Sequence, residues 1–315
     1  MLRDSLLNQV IDYQQQSLCL KARTQGEQRA LAYLCKKGLL ISPFPTYYIT
    51  QEHWDILTHF ERIRYIANTY ACTHQDCIFT GLTAADFYQI DHMHSSHHNI
   101  PINVLSRTNT TKKLNKPIQR FYCADPRFQT IQGLRIAPIE RTIVDCCNYL
   151  PLREALPIID SAVRQGISIA DLQHYCNTLR RDCSQTLHAL RYANPKSENG
   201  GESFCRGTFI EAGLEVPSIQ VTFKIYNMSF RVDFAWYSAS GRIVAGELDG
   251  EEKYVNPSMT QGKSISAIVQ DERERENLLS KCGISNIFRF TFQDALQRQP
   301  LIKKAVQAGV QKAVY

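Results

Sequence analysis

Two short apolar runs in the last third of the chain each carry a carboxylate where a buried strand would not otherwise choose one. Arg231-Val232-Asp233-Phe234-Ala235-Trp236 holds Asp233, and fourteen residues later Glu247-Leu248-Asp249-Gly250 holds two more acids. The stretch Ser238-Ala239-Ser240-Gly241 between them has turn composition. The pattern predicts strands over residues 230–236 and 242–248, antiparallel and adjacent, with Asp233 beside Glu247. Carboxylates so placed repel each other unless a divalent cation lies between them. A hard cation held this way is the working part of a metal-dependent phosphodiester-cleaving centre.

Such a reaction needs charge on the phosphoryl oxygens neutralised, a water deprotonated near neutral pH and the leaving oxygen stabilised. Asp233 and Glu247 suit the metal-ligand role for Mg²⁺ or Mn²⁺, which prefer oxygen donors. Asp249 shares a strand face with Glu247, because residues i and i+2 point the same way. Glu202 opens a predicted helix and could complete the acidic cluster. Lys253 is near enough in sequence to polarise a water or hold a phosphate. Arg275, on the charged helix downstream, could reach a phosphate or the acids. Plainer uses compete: Glu202 as a helix N-terminal acid, Asp249-Gly250 as a turn, and residues 271–276 as an exposed helix face.

The elements that must position these groups follow an αβββαβα order. A helix is expected over residues 202–212, strands over 219–225, 230–236 and 242–248, a helix over 266–281, a strand over 286–291 and a helix over 293–313. Upstream, residues 194–201 are turn formers at nearly every position and read as a linker. Residues 1–70 read as helix-rich, with helices over 2–15, 25–37 and 52–70 and an extended arm over 39–50. Helix, helix, arm is the order of a winged helix-turn-helix. Arg29, Lys36 and Lys37 on the second helix could touch DNA phosphates. Tyr47 and Tyr48 read as packing residues. Residues 78–145 are mixed, and helices continue over 139–149, 152–164 and 169–192. Arg141 and Asp145, four apart, read as a structural ion pair.

As a set, Glu202, Asp233, Glu247-Leu248-Asp249-Gly250, Lys253-Tyr254 and Glu272…Arg275-Glu276…Gly283 resemble the PD-(D/E)XK nuclease superfamily. The nearest branch is similar to very-short-patch-repair endonucleases, over residues 198–295. The resemblance implies a restriction-endonuclease-like domain, Mg²⁺ or Mn²⁺ as cofactor, and Asp233 and Glu247 as its two acids. One departure stands out: Asp249 takes the position usual for the superfamily's lysine, and Lys253 is the candidate substitute. Residues 1–170 resemble the winged-helix and linker region of AbiEi-type antitoxins, through Lys37-Gly38-Leu39-Leu40-Ile41, the arm to Tyr48 and Ile139-Glu140-Arg141-Thr142-Ile143-Val144-Asp145. That likeness implies a DNA-binding regulator with a cognate toxin or antitoxin partner.

The expectation is thus an α/β chain in three parts: a winged helix-turn-helix over 1–75, a mixed α/β middle over 76–195 and a nuclease-like domain over 196–315. The favoured activity is a metal-dependent endonuclease on double-stranded DNA. The alternative is an antitoxin-type regulator with an inactive nuclease-like domain. The 315 residues carry a net charge of +6. The surplus is N-terminal, 21 Lys/Arg against 16 Asp/Glu up to residue 195, where nucleic acid would more plausibly be held. No apolar run approaches a membrane span and no signal-peptide pattern is seen, so a cytoplasmic protein is expected. The 11 cysteines show no Cys-x-x-Cys pair and read as reduced, mostly buried thiols. His92, His94, His97 and His98, with Cys72, His74 and Cys77, lack the regular spacing of zinc ligands.

Overall fold

The computed structural model describes residues 2–97, 102–108, 117–238, 240–249 and 265–313. It is a mixed α/β protein. Along the chain run α1 (Leu2–Gln15), β1 (Leu20–Lys21), α2 (Gln25–Lys36), β2 (Leu40–Phe44), β3 (Tyr47–Thr50), α3 (Gln51–Ile56), α4 (His59–Thr73) and α5 (Gly81–Phe87). Next come β4 (Ile102–Ser106), β5 (Ile118–Tyr122), β6 (Gln129–Ile131), β7 (Leu134–Ile136), α6 (Ile139–Cys147), α7 (Leu152–Arg164), α8 (Ile169–Thr178) and α9 (Ser184–Leu190). The last third holds α10 (Gly200–Glu211), β8 (Ser218–Ile225), β9 (Met228–Tyr237), β10 (Ile243–Asp249), α11 (Ile265–Lys281), β11 (Ile284–Thr291), α12 (Phe292–Gln297) and α13 (Gln299–Ala308). None of the described helices is long and apolar enough to cross a membrane.

The backbone divides into two compact units, residues 1–149 with 170–186, and residues 150–169 with 187–315. In the first, α2 starts where the Thr24 hydroxyl accepts from Glu27 N at 3.2 Å and the Glu27 carboxylate accepts from Arg23 N at 2.7 Å. It buries Ala30, Leu31 and Leu34. The chain then turns through Gly38, whose φ of +74° suits a glycine. The arm that follows is a hairpin, β2 against β3, and β1 adds to it in the order β1-β3-β2. Tyr47 and Tyr48 are buried.

The single helix expected over 52–70 is two helices, α3 and α4. Thr58 is responsible: its hydroxyl accepts from Glu61 N at 3.3 Å while Glu61 accepts from Thr58 N at 2.8 Å. That reciprocal capping box favours a new start over continuation. The helix expected over 169–192 is likewise divided, into α8 and α9, where Asp182 accepts from Ser184 N at 2.8 Å. Nor does residue 75 mark a physical boundary. One core holds Phe44, Tyr47 and Tyr70 together with Phe79, Ile102 and Ile136, so residues on both sides of 75 are buried against each other.

In the second unit the sheet order is β11-β10-β9-β8, with β10 parallel to β11 and the other neighbours antiparallel. The element order is the one read from sequence, with the final helix divided at Arg298. Phe209 of α10 meets Phe234, Trp236 and Phe290 edge-on, at ring separations of 5.6, 5.1 and 5.7 Å. On its other side α10 packs on α7, where Arg206 pairs with buried Asp160 at 2.7 Å. Helix 152–164, expected in the middle domain, therefore belongs here. The expected linker is also pinned to this unit. Asn194 N donates to Asp160 at 2.8 Å, Arg164 donates to the Ser197 carbonyl at 2.6 Å, and Asn199 caps α10.

Candidate functional site

The β9–β10 register sets Val244 across from Trp236 and Gly246 across from Phe234. Asp233 and Glu247 are the next residues of the two strands beyond that last pair. Asp233 Oδ2 accepts from Leu248 N at 2.9 Å, which ties its carboxylate to the adjacent strand. Asp233 is half-buried and Glu247 buried.

A third carboxylate joins them through a residue that the sequence reading did not single out. Gln220 of β8 lies across from Asp233, between the pairs Ile219–Phe234 and Val221–Val232. Its Nε2 donates to Glu202 Oε2 at 3.0 Å and to Asp233 Oδ1 at 3.4 Å. One amide thus bridges the helix acid and the strand acid. Gln220 has φ +52° inside a strand, a left-handed conformation that costs a non-glycine residue about 1–2 kcal/mol. The only sequence signal was an amide side chain facing Asp233 within an otherwise apolar edge of the run.

Glu202 is buried and also accepts from Asn199 Nδ2 and from Glu198 N, each at 3.0 Å. Burial pushes its carboxyl above the usual range; the Glu198 and Gln220 donors hold it down, and the Asp233 charge raises it again. Arg275 of α11 reaches the acids. It grips Glu247 through both terminal nitrogens and also donates to the Arg231 carbonyl at 3.0 Å. Arg289 lies 3.8 Å from Glu247 and 3.4 Å from Glu276. Asp249 pairs in register with Thr291 of β11 and is half-buried. Lys253, Gly250 and Tyr254 lie outside the described residues.

The oxygen donors of Glu202, Asp233 and Glu247 suit a hard cation. The Arg275 guanidinium, against Glu247 and under the influence of Asp233, occupies the part of a positive charge among them.

In the first unit, Arg29, Lys36 and Lys37 are exposed. Arg29, Tyr33 and Lys36 follow one another at i, i+4 and i+7, one face of α2. Arg3 stacks over the Tyr33 ring at 3.8 Å and Lys37 approaches it at 5.7 Å. Arg141 pairs with buried Asp145 at 2.8 Å, and Asp145 also accepts from Thr80 and Arg181, each at 2.6 Å. These residues are structural.

The sequence offered no regular zinc spacing, yet two histidines, His92 and the previously unremarked His59, enter a metal-like group. His59, Asp86 and His92 each bring a ligand atom within 4.8 Å of the others, and the group could hold a metal ion. Burial pushes the Asp86 carboxyl up to about 7, with His92 and His94 opposing. His74 instead stacks on Tyr70 at 4.0 Å. His98 lies outside the described residues. All eleven cysteines are free thiols; Cys19, Cys146, Cys147, Cys176, Cys183 and Cys205 are buried and Cys72 is exposed.

Compared with known proteins, the chain matches no family model, no curated protein and no solved structure.

Proposed function

We propose that the second unit is a Mg²⁺- or Mn²⁺-dependent endonuclease centre acting on double-stranded DNA, with affinity supplied in part by the basic face of α2. The observation that carries this reading is that Gln220 joins Glu202 to Asp233, while Arg275, which grips Glu247, also feels the Asp233 charge. Asp233 and Glu247 hold the cation, which when bound supplies charge neutralisation at the phosphate and an ionised water. Leu248 N and Gln220 orient the Asp233 carboxylate. Glu202 holds Gln220 in place from the other side. Arg289 lies beside Glu247 together with Arg275. Arg29, Lys36 and Lys37 neutralise backbone phosphates without reading sequence.

A second reading has its own support. Arg275 engages both Glu247 oxygens, and Asp249 stands where a lysine is usual in the resembling nucleases. A site closed by an internal cation suits an antitoxin-type regulator, in which the same domain stabilises the fold or contacts a partner protein.

Asp233→Asn separates the two. It keeps the side-chain shape, so DNA affinity in EDTA and thermal stability should remain near wild type. Mg²⁺-dependent cleavage of duplex DNA should fall by roughly a thousandfold or more. Wild-type protein that cuts neither DNA nor RNA with either ion, yet binds one DNA sequence tightly, makes the regulator the correct reading. Cleavage of RNA alone would keep the centre and replace the substrate.

A further inference from the structure

We propose that His59, Asp86 and His92 form a binding site for a divalent transition-metal ion, zinc foremost, which pins three elements of the first unit together. The site is independent of the carboxylate centre and stands or falls without it. Its ligands come from the first residue of α4, from α5 and from the loop five residues beyond α5. No sequence motif joins them, because they converge only through folding.

The geometry separates a metal from a simple ion pair. His92 Nε2 lies 3.4 Å from Asp86 Oδ1. An imidazolium–carboxylate hydrogen bond closes to about 2.7–2.9 Å. Ligands around a tetrahedral zinc, with bonds of about 2.0–2.1 Å, stand about 3.4 Å apart. The three ligand atoms all lie within 4.8 Å of one another, a group that could hold a metal ion.

The proton inventory agrees. His92 Nδ1 lies 2.9 Å from the Ile90 carbonyl, which can only accept, so Nδ1 carries a hydrogen. Nε2 is then the atom turned toward Asp86. A metal-binding histidine commonly donates its other ring N–H to a backbone carbonyl in this way, which fixes both tautomer and ring orientation. Both side chains are almost fully buried, at 4% and 5% exposure for His92 and Asp86. The His59 ring is held in place by stacking on His94, 4.1 Å apart and 12° from parallel.

The donor set fixes the ion class. Two imidazoles with one carboxylate favour zinc, cobalt or nickel over magnesium or calcium. Zinc has no redox chemistry and accepts tetrahedral surroundings, which suits ligands drawn from a helix start, a helix and a loop.

The test uses the full chain, stripped with a chelator and titrated with Zn²⁺ and separately with Co²⁺. The expected result is stoichiometric binding, the visible bands of tetrahedral cobalt, and a Tm rise of roughly 5 °C or more at saturating zinc. His92→Ala and His59→Ala should each lose the cobalt bands and weaken binding at least a hundredfold, while His174→Ala, at an exposed residue elsewhere in the unit, keeps both. Should the two variants fail to fold, the cobalt spectrum and Tm response of the wild-type chain still decide. The proposal is overturned by a wild-type Tm indifferent to zinc together with octahedral or absent cobalt bands, or by equal loss in all three variants. Either result leaves an imidazolium–carboxylate pair as the content of the cluster.

Discussion

Arg275 holds Glu247 with both terminal nitrogens, Nη2 on Oε1 at 2.5 Å and Nη1 on Oε2 at 2.9 Å. A cation seated between Asp233 and Glu247 must compete with that guanidinium for the same two oxygens. Arg275→Ala removes the competitor. We expect Mn²⁺ affinity at the second unit to rise roughly tenfold or more. Stability should fall by about 1–3 kcal/mol, since buried Glu247 loses a bidentate partner. Mn²⁺ titration followed by water proton relaxation, in a His59→Ala background that removes the imidazole cluster, measures the change. Unaltered Mn²⁺ affinity would remove Glu247 from the ligand set.

Gln220 joins backbone strain to a site contact, with φ +52° and a single amide bonded to both Glu202 and Asp233. Gln220→Gly relieves the strain, worth about 1–2 kcal/mol, and gives up the bridge between two carboxylates. The opposed effects should leave Tm close to wild type while cleavage falls by roughly a hundredfold. Positioning is thereby distinguished from folding: a large loss of Tm with proportional loss of activity would make Gln220 a packing residue. Gln220→Asn, whose short side chain tolerates the left-handed conformation, should fold as well as wild type without restoring cleavage.

Gly207 of α10 lies against Arg153 of α7. A Cβ built there would lie 2.5 Å from the Arg153 Cα, an atom of the backbone that cannot turn aside. Gly207→Ala gains about 1 kcal/mol of helix propensity but forces the two helices apart. A net destabilisation of about 1–3 kcal/mol is expected in urea unfolding. A stabilised variant would show that the helices separate freely and that α7 is not integral to the second unit.

What could be read from the residues beforehand follows from the range of each interaction. Strand alternation and the glycine stops indicated the order of α10 through β11, and the turn formers between β9 and β10 indicated their antiparallel pairing. The break at Thr58 rests on a capping box whose threonine and glutamate were both in the sequence, yet the apolar stripe on either side outweighed it. Residues 194–199 have linker composition, but their polar groups find partners in Asp160, Arg164 and the α10 cap. Gln220 and the Arg275–Glu247 pair depend on contacts between residues 13 and 28 positions apart. His59, Asp86 and His92 depend likewise on convergence of three elements. Periodicity is silent on such contacts.

The basic face of α2 gives the last expectation. Arg29, Lys36 and Lys37 are exposed, so replacing them removes mainly charge, with the Lys37 approach to the Tyr33 ring the one other contact given up. Binding of duplex DNA releases about 0.9 counterion per neutralised phosphate. Lys36→Ala with Lys37→Ala should therefore flatten the plot of log affinity against log salt by roughly two units and leave Tm unchanged. Cleavage under saturating DNA should be preserved, because these residues touch phosphates away from the reacting bond. Fluorescence anisotropy on a labelled duplex across a salt series measures the slope. An unchanged slope would move the electrostatic contact off α2, and the nearest exposed cation to examine next is Arg3, which shares the Tyr33 ring with Lys37.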